Sequence, residues 1–309
     1  MKIKSLKTQQ EIASSFARNW RSWAEDDLFM APYLLIFIVF TVLPVIVAIV
    51  LSFTYFNVLE TPSFVGLDNY IHLLVDDSLF MLAFKNTLLL SVVTGPVGFL
   101  LSLFLAWLLN EFNPKMRAFL TLLFYAPTIS GGAFMIWQVI YSGDAYGYLN
   151  GILLNLNIIH SPIQWTTDET YMMVAAIIVI IWMSFGAGFL SFVAGFKNID
   201  KSLYEAAAVD GLRNRWQELW YITLPAIKPQ MMFGAVMSIT GSFGMGDAIS
   251  GIFGFPSTNY ALHTLVHHLQ DYGNVRYEMG YACAIAVILF AIMVGANSLV
   301  QRLLRGVGD

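Results

Sequence analysis

Three histidines in the stretch ALHTLVHHLQD are the residues of this 309-residue chain best suited to metal chemistry. His263 and His267 are four apart, so on a helix they would share a face and could ligate one zinc ion. No glutamate accompanies them in the H-E-x-x-H arrangement of zinc enzymes. We therefore predict no metal site, and we expect His263, His267 and His268 to form part of a polar outer surface.

A single aspartate, Asp247, lies in the apolar run that contains SFGMGD. A charged side chain inside a membrane is costly and usually faces a cavity or a partner. Gly241, Gly244 and Gly246 would loosen any helix in this run, and loosened backbone is tolerable in lipid only where protein buries it or where it lines a wet cavity. The run therefore predicts a bendable segment beside a pathway.

The third group is a polar segment between two apolar runs, LYEAAAVDGLRNRWQELWYITLP. Residues 202–209 favour a helix with Glu205 near its start, and Gly211 can take a positive φ and turn the chain. Arg213 to Tyr221 can form a second short helix, which Leu224-Pro225 would end. A short rigid helix with an alanine face suits insertion into a groove of another protein. The alternative is an amphipathic connector resting on lipid headgroups.

Six long apolar runs must position these residues. The chain is 58% hydrophobic and 12% charged, with a mean hydropathy of +0.67. Runs of about 20 apolar residues can cross a bilayer, and they must be helical because lipid leaves an open strand unpaired. Barrel strands would instead alternate over short segments. The predicted spans are about 29–55, 81–109, 118–140, 171–196, 229–250 and 278–301.

Basic residues alternate between the two sides that six spans define. All Lys and Arg except Lys85 and Arg276 fall before span 1, between spans 2 and 3, between spans 4 and 5, or after span 6. Positively charged short loops stay cytoplasmic, which predicts that both termini are inside the cell. The opposite loops carry the acids Glu60, Asp68, Asp76, Asp77, Asp144, Asp168, Glu169 and Asp271.

The ends and the cysteine content add little chemistry. Residues 8–29 can form an interfacial helix, with a disordered tail as the alternative, and they lack the features of a cleavable signal peptide. The single cysteine, Cys283, excludes a disulfide within the chain.

Gly95-Pro96 in span 2 and Pro127 with Gly131-Gly132 in span 3 predict kinks.

The polar segment resembles the cytoplasmic signature of binding-protein-dependent ABC importer permeases. Glu205-Ala206-Ala207, Gly211 and Ile222-Thr223-Leu224-Pro225 carry the resemblance, although ten residues separate Gly211 from Ile222, one more than the commonest spacing. FVGLDNY, KNTLLL, APTISGGAFMIWQVIYSGDAYGYLNGIL, LSFVAGFKNIDKSLYEAAAVDG, SFGMGD and GYACAIAVILF are similar to the sugar-uptake subfamily of maltose- and glycerol-phosphate-type permeases. The similarity extends over nearly all of residues 30–305.

The resemblance implies an all-α membrane protein with the type I ABC importer permease fold. A cytoplasmic N-terminal segment (1–28), a first transmembrane helix (29–55) and an outer loop (56–80) would precede a permease domain (81–305). A cytoplasmic coupling helix at about 202–211 would lie between spans 4 and 5. The function implied is a transmembrane subunit that moves a carbohydrate, as an oligosaccharide, across a bacterial cell membrane by alternating access.

The resemblance also implies partners and sites. The partners are a second permease, two cytoplasmic ATPases and an extracytoplasmic solute-binding protein, with no nucleic acid. This chain lacks the G-x-x-x-x-G-K-[ST] phosphate loop, so ATP and Mg²⁺ would be bound by the ATPase and the chain itself would be no enzyme. The residues predicted to dock the ATPase are Tyr204, Glu205, Ala206, Ala207, Asp210 and Gly211. Those predicted along the substrate path are Trp182, Ser184, Ser242, Gly246 and Asp247.

Alternative roles for two residues and alternative functions for the chain stay open at this point. Trp182 could instead be a packing residue, and Asp247 could hydrogen-bond to the partner permease. Ile180 and Ala187 stand where maltose-type permeases have an amide and a tyrosine, which disfavours maltose as the substrate. An alternative function is a stand-alone secondary transporter. Such a protein requires acidic residues within the membrane for ion coupling, and only Asp247 meets that requirement. A membrane enzyme or scaffold ranks last, because no nucleophile, base or metal set clusters near a membrane face.

Overall fold

The structure, a computed structural model, describes residues 30–306, so the predicted interfacial helix at 8–29 lies outside the described residues. The described chain is helical apart from one small hairpin. This hairpin, β1 (Thr54–Tyr55) and β2 (Ser63–Phe64), pairs antiparallel with Thr54 opposite Phe64. The predicted all-α class is confirmed, since the two strands have only two residues each, and the first span ends at Leu51 rather than at residue 55.

The helices, numbered in chain order, are α1 (Met30–Leu51), α2 (Asp68–Ile71), α3 (Ser78–Asn110), α4 (Pro114–Ile129), α5 (Ala133–Ile140), α6 (Tyr148–Asn155), α7 (Glu169–Trp182), α8 (Ala187–Lys197), α9 (Lys201–Val209), α10 (Arg215–Glu218), α11 (Lys228–Phe243), α12 (Gly246–Phe253), α13 (Leu265–Gln270) and α14 (Met279–Arg305). Short helical turns extend several of them: His72–Asp76, Leu219–Thr223, Leu224–Ala226 and Asp271–Val275. A separate turn forms at Thr258–Tyr260.

Three helices in the described chain, α1, α3 and α14, are long and apolar enough to cross a membrane alone. The pairs α4–α5 and α7–α8 pass the same test only together, because they bend by 90° and 41°, which gives up to five spans. The fifth predicted span is divided between α11, of 16 residues, and α12. The structure therefore confirms an apolar helical membrane protein but does not by itself establish six spans.

The breaks in these helices follow the glycines more than the prolines. Gly131, at φ +59°, lies in the turn between α4 and α5, and Gly186 lies in the turn between α7 and α8. The predicted loosening near Gly244 is also present, because α11 ends at Phe243. By contrast, Pro96 sits inside α3 without interrupting it.

Two of the three buried apolar clusters in the described chain hold α7, α8, α11 and α12 together. One, around Met172 and Ile252, joins α7 and α12, and the other, around Phe192 and Ile227, joins α8 to the start of α11. The helices α8 and α11 approach closely, since a Cβ on Gly188 would stand 3.1 Å from the Gly234 Cα. The face of α1 is exposed along its length, as expected for a helix in contact with lipid.

Candidate functional site

A chamber of about 200 Å³ lies between the two apolar clusters, enclosed by α3, α4, the α7–α8 turn and α11. Its polar lining consists of six hydroxyl side chains: Thr94, Ser102, Thr128, Ser184, Ser238 and Ser242. Phenylalanine and methionine side chains complete the wall, and no charged residue of the described chain lines it. The volume is below the roughly 300–1,000 Å³ of complete ligand sites, so the chamber would hold only part of a ligand.

Most of these hydroxyls are already committed as hydrogen-bond donors. Thr94, Ser184 and Ser242 donate to carbonyls of their own segments, those of Leu90, Ile181 and Ile239, at 2.8, 2.7 and 2.8 Å. A hydroxyl has one proton and two acceptor lone pairs. The chamber wall therefore offers hydrogen-bond acceptors to whatever enters it.

Two more hydroxyls of the chamber join separate helices. Ser238 on α11 donates to the Gly95 carbonyl on α3 at 2.7 Å. Thr128 on α4 lies 3.3 and 3.1 Å from the carbonyl oxygens of Met183 and Phe185 in the α7–α8 turn. These bonds fix the three walls relative to one another and add to the same acceptor lining.

The predicted path residues divide into two groups. Ser184 and Ser242 line the chamber. Trp182 is outside it and packs edge-on against Trp137, with ring centroids 5.7 Å apart, which favours the packing interpretation. Gly246 is buried where a Cβ would stand 2.7 Å from Val266, and Asp247 is exposed at the start of α12 rather than inside the chamber.

Sequence reasoning missed four of the six hydroxyls, although a signal for some of them was present. In α3 the residues Thr87, Ser91, Thr94, Gly98 and Ser102 recur at helical spacing and are all buried. A polar and small stripe of this kind on a membrane helix indicates a packed or wet face. Thr128 and Ser238 carry no such signal, because their place depends on how α4 and α11 are rotated.

A larger cavity, of about 1110 Å³, opens at the end of the bundle that carries α9. Arg117, Thr121 and Tyr125 of α4 line it, and Thr128 of the same helix lines the chamber. These four positions recur every three or four residues, so they form one polar stripe along α4. The stripe leads from the large cavity to the chamber.

The predicted coupling segment forms α9, and its ends are set by two caps. The Asp200 side chain accepts a hydrogen bond from the Ser202 backbone N–H at 2.9 Å, and the hydrogen bonds from Ser202 hold the pKa of Asp200 below its usual range. The capping acid is therefore Asp200, whereas Glu205, expected near the start, lies in the middle of the helix.

Gly211 ends α9 as predicted, at φ +95°. The Leu212 N–H donates to the Ala207 carbonyl at 3.0 Å, and the Gly211 N–H donates to the Ala208 carbonyl at 3.3 Å. This pair of bonds is a Schellman motif, in which glycine takes the left-handed position at no steric cost. The turn directs the chain away from α9 towards α10.

The exposed face of α9 differs from the predicted alanine face. Ala207 is buried within the chain, at 7% exposed, whereas Glu205, Ala206 and Asp210 are exposed as expected. Val209, not singled out by the sequence, is 88% exposed and is therefore the most prominent apolar side chain of the segment.

Four contacts tie the α9–α10 segment to itself and to the end of α3. Tyr204 and Thr223 join their hydroxyls at 2.9 Å. Arg215 forms ion pairs with Glu218 at 3.2 Å and with Glu111, just beyond α3, at 3.0 Å. Beside them Trp107 of α3 and Trp216 pack with ring centroids 5.2 Å apart. A displacement of α9 would thus reach the end of α3 through Thr223 and α10.

The histidines are buried, which corrects the prediction of a polar outer surface. His263, His267 and His268 are each 2% exposed or less. Their rings are held by one another and by protein acceptors, because the loop folds between α12 and the ends of α3 and α14. No group of three metal-ligating side chains in residues 30–306 is arranged to hold a metal ion.

A hydrogen-bonded chain runs through this histidine cluster. Asp77 accepts from His268 Nε2 at 2.9 Å and from the Tyr281 hydroxyl at 2.8 Å. Because neutral His268 carries its one proton on Nε2 and donates it in the hydrogen bond to Asp77, its Nδ1 accepts from His263 Nε2, 3.2 Å away. His267 Nε2 lies 3.0 Å from the Gly246 carbonyl and so connects the cluster to α12.

Burial keeps these histidines neutral. It lowers the pKa of His263 to about 3, and it lowers the pKa of His267 and His268 as well. Burial opposes ionisation of Asp77 too, but hydrogen bonds from Phe80, Tyr281 and His268 outweigh it, so the pKa of Asp77 lies below its usual range.

We expect the protein to lose stability as the pH falls from 8 to 5. Unfolded histidines take up protons below about pH 6.5, while the folded His263 stays neutral to about pH 3, so acid favours the unfolded state. The effect approaches about 1.4 kcal/mol per pH unit for each such histidine. Asp77, with its lowered pKa, contributes only below this pH window.

The measurement is the midpoint of thermal unfolding in nanodiscs at pH 8 and pH 5. His263→Gln should reduce the pH-dependent drop in that midpoint, and His160→Gln, at an exposed histidine, should leave it unchanged. Equal drops in wild type and His263→Gln would show that His263 ionises normally in the folded protein.

Comparison with known proteins decides the family. Residues 16–309 match the family described as the binding-protein-dependent transport system inner membrane component. This chain is a member of that family. It is 34% identical over 287 residues to the arabinooligosaccharides transport system permease protein AraP of Bacillus subtilis, covering 92% of this chain and 89% of AraP. It is 31% identical over 282 residues to the lactose transport system permease protein LacF of Rhizobium radiobacter, covering 89% and 91%.

The fold agrees with the family. A crystal structure of a bacterial ABC transporter involved in the import of the acidic polysaccharide alginate matches 92% of this chain and 99% of its own chain. The TM-score is 0.72 and the sequence identity is 26%. The chamber, α9 and the bent helix pairs thus belong to a transport subunit of the inner-membrane component family.

Proposed function

We propose that this chain is the permease subunit of an ATP-driven, binding-protein-dependent importer for a carbohydrate. Membership of the inner-membrane component family supports import by a binding-protein-dependent system. Relatives named for arabinooligosaccharides and lactose support a sugar cargo, as does the fold shared with an alginate importer. The chamber of hydroxyl side chains supplies the polar lining that a sugar requires.

The proposed topology has six spans. The sixth arises when α11 and α12 are counted as one broken helix beside the chamber, a form that membranes tolerate where protein surrounds the break. The distribution of Lys and Arg supports a cytoplasmic location for both termini and for α9. This arrangement makes the chain a multi-pass protein of the cell membrane.

The single observation that carries the proposal is the form of α9. It is nine residues long, capped at both ends, and exposes Val209 and Ala206 rather than packing them on the bundle. We propose that it docks in a cytoplasmic ATPase, with Tyr204, Glu205, Ala206, Asp210 and Gly211 forming or shaping the contact. The buried Ala207 would act by holding the helix against its own chain.

The proposed partners are a second permease, two ATPase subunits and an extracytoplasmic binding protein. ATP and Mg²⁺ would be held by the ATPases, because this chain has no phosphate loop. Closure of the ATPases would move α9, and the contacts through Tyr204, Arg215 and Trp216 would pass that movement to α3 and α10. The helices around the chamber then open to one side of the membrane at a time.

Within the chamber we propose Ser184 and Ser242 as sugar contacts. Asp247 lies elsewhere on the surface, where it could face the second permease. The alternative of an ion-coupled transporter gains no support, because no acidic side chain of the described chain lines the chamber. Trp182 remains a packing residue in this proposal.

Copurification tests the proposal. The tagged chain should retain its ATPase partner, and Val209→Glu should lose most of it, because a charge would enter an apolar contact. Leu59→Glu is the control, since Leu59 is 91% exposed in the hairpin loop on the opposite side. Retention of the ATPase by Val209→Glu, or transport by the purified chain alone in an ion gradient, would contradict the proposed function.

A further inference from the structure

The hydrogen-bond pattern of the chamber carries information about the charge of its cargo. Each of Thr94, Ser184, Ser238 and Ser242 uses its only proton on a backbone carbonyl. These four present oxygen lone pairs to the chamber, and of the six hydroxyls only Ser102 keeps its proton free to donate. A ligand that fits such a wall must bring donors of its own.

A neutral sugar brings hydrogen-bond donors on all its polar groups, whereas an acidic sugar also carries a carboxylate that cannot donate. Sugar hydroxyls donate readily to other hydroxyl oxygens. A carboxylate only accepts, so it would face the lone pairs of these walls, with the Ser102 hydroxyl as the one uncommitted donor and no cation among the lining residues. It would also be a charge without a cationic partner among the residues that line the chamber, which is a costly arrangement between membrane helices.

The placement of charged residues also favours a neutral cargo over an acidic one. The cations Arg117, Lys197 and Lys201 line the separate cavity at the α9 end, where the positive-inside rule accounts for them. The opposite end of the bundle, where cargo would enter, carries eight acids, one of them the buried Asp77, but only Lys85 and Arg276 as cations. An acidic entry face does not attract an anion.

From these observations, and resting on the proposed function, we infer that the cargo is a neutral oligosaccharide, bound in part by hydroxyl-to-hydroxyl contacts with Ser184 and Ser242. In this respect the protein differs from the alginate importer that shares its fold, whose cargo is acidic. Phe99, half-buried in the apolar wall, supplies a surface for the face of a sugar ring, whereas Phe189 and Phe192 are fully buried and only shape the wall.

The test uses the assembled importer in nanodiscs with its binding protein and measures sugar-stimulated ATP hydrolysis. The acidic probe is trigalacturonate, and its matched neutral probe is the methyl ester of the same trisaccharide. Neutral trisaccharides of arabinose, galactose and glucose complete the panel. We expect stimulation by one or more neutral sugars and at least tenfold less by trigalacturonate than by its ester.

Two variants tie the result to the chamber. Ser184→Ala and Ser242→Ala should each raise the KM for the stimulating neutral sugar about 2- to 10-fold, the range of a single hydrogen bond, with kcat nearly unchanged. Thr240→Ala is the matched control. Thr240 lies on the same helix as Ser242 and makes the same kind of bond, to the Val236 carbonyl at 2.9 Å, but it is exposed and outside the chamber.

The outcomes separate the inference from the proposed function. Stimulation by trigalacturonate equal to that by its ester would overturn the neutral cargo while leaving a sugar importer in place. An unchanged KM in both serine variants would overturn the role of the chamber. Stimulation by no sugar of either charge would overturn the proposed function and the inference with it.

Discussion

Replacing Gly211 with valine is expected to abolish sugar-stimulated ATP hydrolysis and transport while the protein still inserts in the membrane. Gly211 has φ +95°, which a β-branched residue adopts only with strain of about 1–2 kcal/mol. A Cβ there would meet nothing within 4 Å, so the effect comes from the backbone and not from a clash. Relief of that strain would undo the Schellman motif and reorient α9.

The controls for this variant separate strain from bulk. Gly211→Asn should retain much of the activity, because asparagine tolerates positive φ better than other residues. Gly306→Val, at a helix end with φ −78°, should behave as wild type. The measurements are ATP hydrolysis with and without sugar and the amount of protein in the membrane. Normal sugar-stimulated hydrolysis by Gly211→Val would refute the coupling role of the turn.

Replacing Gly98 with valine is expected to block transport at the chamber instead. A Cβ on Gly98 of α3 would stand 2.8 Å from Ser184 Cβ in the α7–α8 turn, closer than real side chains approach. Forcing the two walls apart costs about 1–3 kcal/mol and changes the shape of the chamber. We expect sugar uptake to fall at least tenfold. The ATPase should remain bound, because the substitution changes no residue of α9.

A compensating pair and a neutral site complete this test. At saturating sugar, Gly98→Ala combined with Ser184→Gly should recover uptake relative to Gly98→Ala alone, because the second change removes the side chain that the new methyl group meets, while the KM stays raised by the loss of the Ser184 hydroxyl. Gly295→Val, on α14 where a Cβ meets nothing within 4 Å, should have little effect. Wild-type uptake by Gly98→Val would show that the gap between α3 and the turn is not part of the path.

The sequence predicted the parts of the fold that local chemistry determines. Continuous apolar runs specified membrane helices, Gly131-Gly132 specified the break between α4 and α5, and Gly211 specified the end of α9. The break after Trp182 was not predicted, since the apolar run continues through Phe185 and Phe189. Hydropathy does not record a bend that tertiary packing imposes.

The site was predictable only in part, because helix rotation and loop packing are tertiary properties. Ser184 and Ser242 were found, yet Thr128 and Ser238 needed the rotation of α4 and α11 to be placed. The histidines were mistaken for a surface, because their burial depends on Asp77, which is nearly 200 residues away in sequence. Ala207 was predicted to be exposed, because its burial is also a tertiary property that local sequence does not record.

The most direct test of the account is photo-cross-linking in intact cells that take up the sugar. A photoreactive amino acid at Val209 should capture the ATPase subunit, identified by its peptides, whereas the same residue at Leu59 should not. The account is contradicted if Val209 captures no ATPase in cells with active uptake, or if Leu59 captures it instead.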